Sequence, residues 1–116
     1  TVEFPCAGDI KAIHMLGGVG GWSFPYSRDE TVSMVVRIKY GDGEFEDHHL
    51  LNGQHFSDYI NRTDVPKSEF AFGLRNQQLR YLAVIPQRNI PINSVQLIKG
   101  PDKTAPVTMA ITLETK

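Results

Sequence analysis

Apolar and polar positions alternate with a period of two through most of this chain, the pattern of strands that bury one face. The clearest run covers residues 31–40, TVSMVVRIKY, in which Val32, Met34, Val36, Ile38 and Tyr40 alternate with Ser33, Val35, Arg37 and Lys39. Gly41, Asp42 and Gly43 follow as a hairpin turn and leave two registers open. A two-residue loop pairs Tyr40 with Phe45 and turns Asp47 and His49 toward the face of Ile38. A three-residue loop with a glycine bulge pairs Tyr40 with Glu44 and turns Glu46 and His48 that way instead. Further strands are predicted over residues 12–16, 70–74, 79–85, 95–98 and 107–113. The last has Val107, Met109, Ile111 and Leu113 on one side and Thr108, Ala110, Thr112 and Glu114 on the other. Only HFSDYI, with Phe56, Tyr59 and Ile60 at helical offsets, predicts a short helical turn.

Turn-forming clusters such as RNQQ, PQRNIPIN and KGPDKTAP separate these runs. The fold class expected is all-β: an antiparallel, jelly-roll-like β-sandwich with one short helical turn capping an end of the sheets. An immunoglobulin-type sandwich is the alternative, although its disulfide framework is missing. At 116 residues the chain suffices for one core, so residues 1–116 read as a single domain. No repeat, low-complexity stretch or linker interrupts it.

A net charge of -1 gives no basic field for phosphates, so nucleic acid is not an expected partner. No window is apolar enough for a membrane helix, and the first residues, TVEFPCAGDIK, lack the regions of a signal peptide. Either a signal has been removed or the sequence is a fragment of a longer protein. The single cysteine, Cys6, excludes an internal disulfide and reads as a buried thiol beside Pro5.

Chemistry is concentrated in residues 17–30, GGVGGWSFPYSRDE. Ser23 stands where a dinucleotide fingerprint needs its third glycine, and no lysine or helix follows, which excludes a phosphate cradle. Two readings remain. The glycines form a bulge or corner with Trp22 plugging one end of the sandwich. Alternatively, Trp22, Phe24 and Tyr26 form an apolar platform flanked by Arg28 and Asp29, the combination that sugar rings and their hydroxyls require. Arg75, Asn76 and Gln77 are either ordinary turn residues or the polar rim of that platform, if both loops share an end.

His48 and His49 are adjacent on a strand and face opposite ways, which argues against a shared metal ion. One is expected exposed and the other hydrogen-bonded beneath the helical turn, while His14 reads as a satisfied structural histidine. Glu44, Glu46 and Asp47 are explained by ion pairs with Arg37 and Lys39. Asp58, Asn61, Arg62 and Asp64 either cap the helical turn or bind calcium, without the spacing of a calcium loop. No nucleophile elbow or catalytic triad is legible, so no catalytic residue is assigned.

The succession IHMLGGVGGW, YGDGEFEDHHLLNGQHFSDYINRTDVP, FAFGLRNQQLRYLAVIP and APVTMAITLE resembles an accessory β-sandwich domain of large secreted or envelope proteins of planctomycete-type bacteria. In layout it is similar to the galactose-binding-like carbohydrate-binding modules. The resemblance spans nearly the whole chain. It implies a non-catalytic domain, extracellular or in the cell envelope, that tethers covalently attached enzyme domains to polysaccharide or oligosaccharide, often with a structural calcium. The carbohydrate-binding set drawn from the residues themselves is Trp22, Tyr26, Arg28, Asp29, Arg75 and Gln77. The competing expectation is a protein-interaction or assembly domain using the same aromatic loop.

Overall fold

The period-two runs form eight strands: β1 (Val2–Gly8), β2 (Ile10–Gly20), β3 (Val32–Tyr40), β4 (Phe45–Leu51), β5 (Glu69–Leu74), β6 (Gln77–Val84), β7 (Ile92–Lys99) and β8 (Ala105–Thr115). They are seen in a computed structural model that describes residues 1–20, 29–60, 62–75 and 77–116. Two four-stranded sheets result, in the orders β1-β7-β3-β4 and β5-β6-β2-β8. Every pairing is antiparallel. Their inner faces meet in one core, with Met34, Val36, Ile38 and Val95 against Ile13, Met15, Leu82 and Val84. Burial of each such side chain contributes about 1.5–3 kcal/mol. Among the described residues only β3–β4 and β5–β6 are hairpins within a sheet; the other connections cross between sheets, the interleaving expected of a jelly-roll-like sandwich.

The β3–β4 turn adopts the three-residue register. The Tyr40 N–H donates to the Glu44 carbonyl at 2.8 Å, the Gly43 N–H to the Tyr40 carbonyl at 3.1 Å, and Gly43 has φ +91°. Glycine is suited to that left-handed position because it lacks a Cβ. Ile38 therefore lies opposite Glu46 and Val36 opposite His48, so these two polar side chains turn inward.

Three expectations are corrected. The strand β1 was not read from the sequence, because Pro5 falls within its alternation. No helical turn forms at HFSDYI: Phe56 and Asp58 make bridges to Asn52 and Val19, and Ile60 stays exposed. The Tyr59 N–H donates to the Val19 carbonyl and the Gln78 N–H to that of Tyr59, so strand backbone takes the place of helical partners. In β8 the alternation breaks. A register shift between Leu16 and Gly17 of β2 leaves Met109 as an extra residue, so inward positions run Leu113 and Ile111 but then Thr108 and Pro106. Val107 is consequently turned outward.

Candidate functional site

Gly17, Gly18 and Gly20 are strand residues. A Cβ on Gly17 would lie 2.2 Å from the Val107 carbonyl oxygen, and one on Gly20 would lie 2.5 Å from Cε1 of Tyr59. Glycine is needed there because the bulged β8 backbone and a tyrosine ring occupy the space of a side chain. This accounts for the glycine run without any phosphate.

Residues 21–28 leave from the end of β2, where Gly20 pairs with Ala105 at the start of β8. The start of β3 is tied to the same end by the Thr104 hydroxyl, 3.0 Å from that of Ser33. Asp29, which is exposed, leads into it. The start of β6 arrives there too, since Tyr59 bridges Val19 and Gln78 through backbone hydrogen bonds of 2.8 and 2.7 Å. Leu74 pairs with Gln77, which places Arg75 at this end, with Arg75 and Gln77 exposed. Arg75 has φ +51°, a conformation that disfavours a non-glycine residue by about 1–2 kcal/mol. Asp29, Arg75 and Gln77 thus share one end of the sandwich. Trp22, Phe24, Tyr26, Arg28, Asn61 and Asn76 lie outside the described residues.

Three of the four histidines are held by hydrogen bonds. The His14 ring stacks on Tyr81, with Nδ1 2.6 Å from its hydroxyl and Nε2 2.8 Å from the Glu114 carboxylate, across three strands on an outer face. His49 is exposed, whereas His48 turns inward and is bonded to Glu46 rather than to a helical turn. Glu46 also accepts from the Tyr40 hydroxyl at 2.5 Å and from the Gln87 N–H at 3.1 Å. Burial raises the Glu46 carboxyl, but donors from Tyr40, His48 and Gln87 outweigh it and hold it below its usual value. His55 accepts the Leu51 N–H through Nδ1, and burial, with Lys67 and His48 nearby, pushes its pKa down. Arg37 forks onto Asp47 at 2.8 and 3.0 Å, as expected of that pair, while Lys39 turns instead to Glu3. Burial pushes the half-buried Cys6 thiol up, away from nucleophilic use.

Sequence reasoning missed a polar network inside the sandwich. Gln78 and Arg80, each 1 % exposed, lie on the inner face of β6 beneath the β4–β5 connection. Gln78 Nε2 donates to the Ser57 hydroxyl and the Asp58 carbonyl. Arg80 donates to the Ser68 hydroxyl and carbonyl at 2.9 and 2.6 Å and to Asp64 at 2.8 Å. The alternation of Gln78, Arg80, Leu82 and Val84 was the available signal.

The structural calcium implied by the resemblance needs about six to eight oxygen ligands, and two buried side chains, Asp102 and Asn52, carry oxygen that could contribute. The Asp102 carboxylate already accepts from Thr31, Ser33, Thr104 and Lys99. Asn52 is fully buried, and neither its Oδ1 nor its Nδ2 has a partner. An amide that must both accept and donate suits an enclosed water better than a cation. Among the described residues no group of three or more His, Cys, Asp or Glu side chains is arranged to hold a metal ion. Asp58 caps the Ile60 N–H at 2.9 Å, and Asp64 is taken by Arg62 and Arg80.

Comparison of the chain with family models, with curated proteins and with solved structures finds no match.

Proposed function

We propose that this chain is a non-catalytic carbohydrate-binding module that holds an attached enzyme against polysaccharide, outside the cell or in its envelope. The observation that supports it is the convergence of Asp29, Arg75 and Gln77 on the end of the sandwich from which the aromatic segment, residues 21–28, departs. Aromatic faces take the C–H side of a sugar ring, and a guanidinium, a carboxylate and an amide reach its hydroxyls. Holding Arg75 in a left-handed conformation at a hairpin tip, where glycine or asparagine is the easier choice, fits a site that uses the guanidinium. A shallow site of this kind binds in the micromolar to millimolar range, about -8 to -4 kcal/mol.

The test is a glycan array followed by affinity electrophoresis through gels containing the polysaccharides retained. Wild type should be retarded, Trp22→Ala should lose retardation, and Arg75→Ala should weaken it, with circular dichroism unchanged in both. Unchanged retardation of folded Trp22→Ala, or an array with no binding, overturns the proposal. Concentration-dependent sedimentation abolished by Trp22→Ala would assign the loop to assembly instead.

A further inference from the structure

Inner-facing side chains of a sandwich normally disappear into its core, but along one edge of this molecule they do not. Val2 and Phe4 of β1 lie opposite Leu97 and Val95 of β7 and share their inward face, yet they are 53 % and 41 % exposed. Across from them on β8, Met109 is 58 % exposed. Between β1 and β8 runs a cleft of about 710 Å³, with Val95 and Leu97 among its lining and Cys6 in one wall. Among the described residues no segment lies across it. From Val2 to Cys6 the strand covers about 13 Å, which sets the length of the trough.

We propose that this cleft is a binding site for a neutral, elongated apolar small molecule, such as a long-chain alcohol or a terpenoid. The volume is that of a small-molecule site, and the walls are predominantly apolar. The bordering strands disfavour an added β-strand along the length of the trough. β1 contains Pro5, which has no N–H, and shifts register between Pro5 and Gly8; β8 contains Pro106 and the bulge at Met109. Prolines and bulges are the devices that prevent edge pairing, so neither border offers a continuous ladder to an extended peptide. Affinity must come from apolar side-chain contact.

Charge selects the rest of the ligand. Of the lining residues, Thr1, Thr108 and Lys99 are polar. The Lys99 ammonium spends its donors on the Gly100 carbonyl at 2.6 Å, the Asp102 carbonyl at 2.6 Å and the Asp102 carboxylate at 3.0 Å. The one cationic side chain among the described lining residues is thus already engaged, and a neutral molecule carrying one hydroxyl suits the trough. The site is separate from the carbohydrate end and does not depend on that reading.

The experiment uses the neutral fluorophore N-phenyl-1-naphthylamine and the chain's single cysteine as a built-in reporter. Saturable fluorescence enhancement, displacement by dodecanol and slower maleimide labelling of Cys6 at saturating probe are expected. Met109→Lys, at an exposed position that the fold does not need, should weaken probe binding about tenfold or more by placing a charge in the trough. Unsaturable fluorescence, unprotected Cys6, or unchanged binding by folded Met109→Lys overturns the proposal. So does protection of Cys6 that rises with protein concentration alone, which would make a second copy the occupant, or tighter binding of an alternating Val-Thr octapeptide than of dodecanol.

Discussion

In the connection between β4 and β5, residues 52–60 and 62–68 fold back into the sandwich, burying Phe56 and Val65 and clasping Arg80; between β1 and β8 no described residue does the same. The first region uses polar groups wherever apolar ones run out, and the Arg80 guanidinium finds acceptors on Asp64, Ser68 and Val65. The second has predominantly apolar walls and stays open. A buried polar network is stable only when complete, because each unpaired member costs its full desolvation. An apolar trough can remain incomplete at lower cost, since water meets it without breaking a defined bond. The first region is therefore built to be rigid, and the second to accept an occupant.

The contrast is broken most severely at Arg80. Arg80→Met keeps much of the volume but leaves the Ser68 carbonyl, the Val65 carbonyl and the Gln78 amide oxygen without their donor. The expected loss is about 3 kcal/mol or more in urea unfolding, since each buried acceptor left unpaired costs about 1–3 kcal/mol. A variant as stable as wild type would show that the network is not complete.

Asp102 anchors the turn from β7 to β8 through Lys99, which lines the trough, and Thr104. The Asp102 side chain is 6 % exposed. Burial raises its carboxyl, but hydrogen bonds from Thr104, Thr31, Lys99 and Ser33 outweigh that and hold it far below 3.8. Because the folded value lies below the unfolded one, this contribution is complete above the unfolded value and is lost as pH falls toward the folded value. Asp102→Asn should cost about 2–3 kcal/mol at neutral pH. The wild type should then lose stability more steeply than the variant from about pH 5 downward. Parallel pH profiles would place the acid sensitivity elsewhere.

The smallest effect belongs to the open edge. Phe4→Ala should cost about 1 kcal/mol or less, because much of the ring is already in water. Thermal unfolding measures it, and a loss of core size would mean that the trough is closed in solution.

Much of the architecture was legible where hydrophobic period and turn chemistry agree. Val32 to Tyr40 gave both a strand and its buried face, and the ambiguity at Asp42 was confined to two registers, of which backbone geometry selects one. What stayed hidden depends on non-local partners. Met109 continues the alternation of the sequence, and Gly17, far away along the chain, permits the bulge that reverses it. Gln78 reads as turn polarity and Arg80 as one more residue of the predicted strand 79–85, because their partners Ser57, Asp58, Asp64 and Ser68 are distant in sequence. For the candidate sugar site, Asp29, Arg75 and Gln77 were legible as chemistry, and the shared end required the register of the sheet. The cleft was illegible because it exists only where the first and eighth strands face one another.

Interleaved connectivity has a consequence for how the molecule comes into being. The strand β2 pairs with β6 over Ile13–Gly17, with β8 along its length and, at Val19, with residues 57–59, so most of residues 10–20 must wait for residues 77–115 before their main-chain groups are satisfied on both sides. Such separation makes closure slow and leaves early segments exposed to sticking on the ribosome, so acquisition of the native state is a late, all-at-once event, with the two local hairpins as its only early footholds among the described residues.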